Sequence, residues 1–113
     1  MNTSLPKVLV VDAEVASKVP LEACFRNRAE ILFIDTLEIA ETFLKPDLAA
    51  IAIGAFVTYA PGREPKTLSL IRKFRSSFQG PIIGMSVISD YRKAFKTAGC
   101  SQVCERTQLP QVL

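Results

Sequence analysis

Few side chains in this sequence could do chemistry. Asp12 and Glu14 follow an apolar run of Val8, Leu9, Val10 and Val11, Ser86 closes a second such run, and Arg106 stands near the carboxyl end. Two acids so close together could hold a cation, and magnesium prefers oxygen ligands of this kind. One or two monodentate carboxylates hold it poorly, and the same residues serve simply as a helix N-cap and a first-turn carboxylate, which is the preferred reading. Ser86 could donate to a ligand oxygen or bond nearby backbone at a strand end. Cys24, Cys100 and Cys104 form no C-x-x-C pair, and without any histidine a zinc site would need thiolates and carboxylates alone. Buried, reduced, structural thiols are expected, with Cys104 the candidate should one be reactive. The missing histidine also removes the base a serine hydrolase needs. Asp12, Ala13, Glu14 and Val15 are not the glycine-rich turn of a nucleotide-binding fold. No enzyme is expected.

The elements that must position these residues alternate between strand and helix. The run from Pro46 to Gly54 is almost continuously apolar, as in a strand buried on both faces of a parallel sheet. In an open doubly wound sheet the carboxyl ends of the central strands form the functional crevice. Here that end offers Ala52, Ile53 and Gly54, none of which has a reactive side chain. Further strands are expected at 7–12, 30–34, 82–86 and 102–105. Helices are expected over 15–27, from Asp35 or Thr36 to 44, over 65–78, and from Ser89 or Asp90 to Ala98, where Gly99 ends it. Pro20 should kink or interrupt the first helix. In the third, Leu68, Ile71, Phe74 and Phe78 should face inward, leaving Arg72, Lys73 and Arg75 in solvent. The segment 55–65 reads as an unusually long loop. Few residues follow Arg106, Pro110 among them, so any last helix is short. The pattern predicts an α/β fold, a doubly wound five-stranded parallel sheet with helices on both faces.

The chain of 113 residues suits one domain, 1–113, and its 49% hydrophobic content suffices for a core. The longest apolar run falls short of the roughly 20 residues a membrane span requires, and the first residues lack the basic start and apolar stretch of a signal peptide. No membrane association and a cytoplasmic location are expected. A net charge of +3 does not by itself imply nucleic acid, and no nucleic-acid partner is expected. The basic residues Lys66, Arg72, Lys73, Arg75, Arg92, Lys93 and Lys96 read as solvated helix faces without an aromatic platform.

In this order the pieces resemble the receiver domain of two-component response regulators. Val8 to Glu14 resembles its apolar first strand and acids, Pro46, Asp47 and Leu48 its lead-in to the third strand, and Pro81 to Ser86 its strand ending in a hydroxyl. Ala98, Gly99 and Cys100 stand at its Ala-Gly-Ala. The resemblance implies a flavodoxin-like (βα)5 fold, here with a shortened last helix. It also implies a pocket in which an aspartate accepts a phosphoryl group, two acids hold magnesium, and a hydroxyl and a lysine contact the phosphate. By that comparison Asp12 keeps the first acid and Ala13 replaces the second. Ser86 keeps the hydroxyl, Arg106 stands for the lysine, and Val103 stands for the switch aromatic. The acceptor position falls on Ala52 counting from Pro46, or on Val57 counting back from Pro61 and Gly62. No acid lies between Asp47 and Glu64, and Glu64 is the only one in the long loop.

The sequence therefore reads as a degenerate pseudo-receiver: a non-catalytic signalling module that works through protein–protein contacts in a two-component-like pathway. Asp12, Ala13, Glu14, Ser86 and Arg106 are the remnants of its pocket. Arg106 is expected to pair with Asp12. No cofactor is expected, and at most weak Mg2+ binding at Asp12. The other readings are a small-ligand or anion sensor at the crevice, and a structural oligomerisation domain. A homodimer through the 89–113 face is expected, because a short last helix leaves apolar surface uncovered.

Overall fold

The computed structural model describes residues 5–44, 47–54 and 67–112. Strands β1 (Lys7–Val11), β2 (Glu30–Ile34), β3 (Leu48–Gly54), β4 (Ile82–Met85) and β5 (Gln102–Cys104) form one parallel sheet. Their order is β2-β1-β3-β4-β5, so the chain reverses direction across the sheet between β1 and β3. That is the switch point at which doubly wound sheets open a crevice.

Side-chain alternation along each strand builds two cores. Leu9, Val11, Ile51, Ile53 and Ile82 face one side, where α3 (Thr67–Ser77) supplies Leu68, Ile71 and Phe74, and α4 (Ser89–Ala98) supplies Phe95. The short α2 (Leu37–Ala40) adds Ala40 on the same side. Val8, Val10, Ala50, Ala52, Ile83 and Met85 face the other. Only two short helices cover that second face: α1 (Lys18–Cys24), through Leu21, and α5 (Leu109–Val112), through Leu109. The shortened last helix is as expected.

Several local expectations need correction. The helix expected over 15–27 is a 3-10 turn at Val15–Ser17 followed by α1, which ends at Cys24. Pro20 falls in the first turn of α1, where its missing N–H leaves no bond unmade. Asn27 then takes a left-handed φ of 65°, a conformation asparagine tolerates. Asp12 caps no helix; Ser17 stands at the α1 N-cap, its hydroxyl donating back to the Glu14 carbonyl rather than accepting a helix N–H. Neither Ser89 nor Asp90 is the N-cap of α4, because Ile88 is. Gly99 does end that helix, with φ 135°, its N–H on the Lys96 and Phe95 carbonyls.

Arg75 is not a solvent residue. Its guanidinium donates to the Gly99, Phe78 and Gly80 carbonyls at 2.9, 3.0 and 3.1 Å, locking α3 to the end of α4. Arg92 and Lys96 are likewise tied to backbone carbonyls, of Ser86 and Ser101. Cys24 is exposed, whereas Cys100 and Cys104 are buried. The expectations for the 55–65 loop, Val57, Glu64, Pro65 and Lys66 lie outside the described residues.

Candidate functional site: a crevice closed by an ion pair

β1 ends at Val11, so Asp12 emerges directly at the switch point, where its N–H donates to the Ile34 carbonyl of β2. Its carboxylate is fully buried. Oδ1 accepts the Glu14 N–H at 3.0 Å, which closes a tight turn, and the Arg106 Nη2 at 2.8 Å. Oδ2 accepts the Arg106 Nε. The guanidinium therefore grips the carboxylate with two parallel bonds, the strongest geometry available to this pair. The hydrogen bond to Asp12 raises the Arg106 pKa above its ordinary value, although burial opposes it, so this cation is permanent.

Arg106 is delivered by a turn just beyond β5. Glu105 and Gln108 form a capping box there, with the Glu105 N–H donating to Gln108 Oε1 at 2.9 Å. The 3-10 turn Arg106–Gln108 runs straight into α5. Pairing with Asp12 thus anchors the end of the chain across the sheet.

The register of β1 with β3 decides which residue shares this crevice. Val10 lies opposite Ala52 and Val11 opposite Ile53, which brings Gly54 beside Asp12. A Cβ on Gly54 would stand 2.9 Å from Asp12 Oδ1, closer than atoms of an undistorted structure approach. Ala52 lies deeper in the strand, fully buried in the core under α1 and α5. The position at the crevice is therefore Gly54 rather than Ala52. Ala13 and Glu14 are exposed at the mouth.

Ser86 follows β4, its N–H bonded to the Cys104 carbonyl at 3.0 Å. Its hydroxyl accepts the Ile88 N–H at 3.0 Å, closing the turn into α4. Val103 pairs with Gly84 in β5 and packs half-buried on the α3 and α4 side. The structure thus joins Asp12 to Arg106, sets Gly54 against them, and commits Ser86 to its own backbone turn.

Magnesium does not fit this site. Both Asp12 oxygens are engaged by a guanidinium, and Ala13 and Gly54 offer no oxygen-bearing side chain. Among the described residues no three cysteine, aspartate or glutamate side chains converge. A cation would have to displace a fixed positive charge that already neutralises the buried carboxylate of Asp12.

Gly54 was legible in principle. The β1 and β3 runs each end in a residue that breaks the apolar pattern, and aligning those ends pairs Asp12 with Gly54. Counting from Pro46 stops short of it.

With sheet order 2-1-3-4-5, helices on both faces and an acid at the β1 terminus, the molecule has the flavodoxin-like fold of response-regulator receiver domains. Among solved structures it is similar to a receiver protein from Pseudoalteromonas atlantica, with TM-score 0.73 and 16% identity, over 95% of this chain and 89% of that one. The chemotaxis protein CheY4 of Vibrio cholerae matches at TM-score 0.72 and 14% identity, over 96% and 92%. The Saccharomyces cerevisiae Ssk1 receiver domain, crystallised with the histidine phosphotransfer protein Ypd1, matches at 0.65 and 15%, over 94% and 81%. At these identities the likeness establishes the fold. No protein-family model and no curated protein matches the sequence.

Proposed function

We propose that this domain is a pseudo-receiver: a non-catalytic, cytoplasmic module of a two-component-like pathway that acts by binding protein and accepts no phosphoryl group on aspartate. The observation that carries this reading is the closed crevice. Its buried acid, Asp12, is neutralised by Arg106, and the neighbouring strand end is Gly54. A phosphoryl acceptor must be a free nucleophile, and a metal must offset the incoming charge; Asp12 gripped by Arg106 is poorly placed for either role, which supports the reading.

What remains around the crevice is an apolar rim. Of the six exposed large hydrophobic side chains among the described residues, four flank it: Val15 and Val19 beyond β1, and Val87 and Ile88 beyond β4. Val19 and Val87 are 72% and 71% exposed. Grouped exposed apolar residues mark contact surfaces, and the Ssk1 receiver crystallised with a protein partner gives a precedent within the fold. Exposed apolar residues favour this rim over a homodimer through 89–113, where Phe95 and Leu109 are buried.

The test is affinity capture on the whole chain, in parallel with Val19→Glu and Val87→Glu. Partners should be retained by the parent equally with and without a phosphodonor, and lost by both variants. Retention that requires the phosphodonor, or that survives both substitutions, would refute the reading.

A further inference from the structure

The end of the sheet opposite the crevice carries a cavity of about 360 Å³. It lies on the second sheet face, beside α1 and α5. Val8, Ala50 and Ile83 form its floor, and Phe25 and Val112 form its walls. The volume lies within the range of ordinary small-molecule sites, which are mostly apolar with a few converging polar groups.

Three polar features converge here. Arg28 stands at the rim, its guanidinium 5.2 Å above the Phe25 ring and 3.4 Å from the Pro110 carbonyl. No ion pair of Arg28 is found among the described residues. Gln102 lines the opposite edge at the start of β5. Between them β3 bulges: pairing with β1 jumps from Lys7 opposite Leu48 to Val8 opposite Ala50, so Ala49, which also lines the cavity, has no partner on β1. Bulges leave backbone groups unpaired and available.

We propose that this cavity is a binding site for an amphipathic monocarboxylate, an aliphatic or aromatic acid. Its apolar body lies on Val8, Ala50 and Ile83, and its carboxylate pairs with Arg28. The apolar floor selects the body, and the single unpaired guanidinium over an aromatic ring selects a planar anion at the mouth. The site lies at the end of the strands away from Asp12, so it is independent of the closed crevice.

The probe is decanoate, below its micellar concentration, titrated into the isotopically labelled whole chain and followed by amide chemical shifts, with decanol as the neutral control. Saturable shifts should appear at Arg28, Ala49, Ala50 and Gln102, and not at Asp12 or Ser86. Decanoate should bind more tightly than decanol. Arg28→Gln, a surface substitution that leaves the fold intact, should weaken decanoate about tenfold, the scale of one charge-assisted pair, and leave decanol unchanged. The absence of saturable shifts, shifts centred on the crevice, equal affinity for both probes, or an unchanged affinity in Arg28→Gln would each overturn the proposal.

Discussion

Removing Arg106 should cost more than removing the acid it holds. Asp12 is fully buried, while the Arg106 side chain is 34% exposed. Arg106→Gln leaves a buried carboxylate whose one remaining donor among the described residues is the Glu14 N–H. Breaking a buried pair in this sense costs about 3–5 kcal/mol; water reaching the partly exposed Arg106 side lowers the expectation to about 2–3 kcal/mol. Asp12→Ala is milder, about 1–2 kcal/mol, since the freed guanidinium can turn to solvent and only the turn onto Glu14 is lost. In the double variant no charge is left buried, so its loss should be close to that of Asp12→Ala alone. The coupling between the two positions should then be about 2 kcal/mol. Urea unfolding of the four proteins at one pH, with equal slopes, measures it. Additive losses within about 0.5 kcal/mol would show that the pair holds nothing together, and the account of the closed crevice would fail.

Gly84→Ala should destabilise by about 1–3 kcal/mol, because a Cβ there would stand 2.6 Å from Phe95 Cδ2 and push α4 off β4; thermal unfolding reads it. Burial pushes the Cys100 thiol up to about 12 from 9.0. Above pH 9 the unfolded chain therefore loses this proton first, and stability should fall by about 1 kcal/mol by pH 10 from this group alone. That slope should be missing in Cys100→Ala. Ala13→Asp with Gly54→Asp crowds acids at the strand ends and sets a Cβ 2.9 Å from Asp12 Oδ1, so it should lose stability; magnesium at ten times its dissociation constant should return about 1.4 kcal/mol of that loss, while the parent gains almost nothing. Ala13→Asp with Ala52→Asp should instead fail to fold, because Ala52 lies inside the sheet.

The fold was readable because each strand is a short apolar run bounded by a turn residue or an acid, and each helix carries its stripe. The five-stranded parallel sheet follows from that alternation, whereas its order is seen only in the fold. Helix boundaries were less so. Pro20 decides where α1 begins, yet a proline is equally at home in a first turn and at a kink. Arg75 reads as a surface charge by spacing, and its partners appear only in the fold, where the turn after α3 and the meeting of α3 with Gly99 and Ser101 surround it. At the site, the pairing of Asp12 with Arg106 was foreseeable from their positions after β1 and β5. The strand-end residue, Gly54, was legible only by aligning the ends of two strands, because register is a property of two strands rather than one, and counting along β3 alone stops at Ala52. The cavity under Arg28 depends on which residues meet across one sheet face, an arrangement that no local pattern encodes.

The claim that matters most is that the crevice accepts no phosphoryl group. The direct measurement is the intact mass of the whole chain after incubation with a small phosphodonor and magnesium. An unchanged mass is expected, with Asp12 held by Arg106 and Gly54 at the neighbouring strand end. A stable adduct of one phosphoryl group, mapped to Asp12 or to the segment between Asp47 and Glu64, would contradict it.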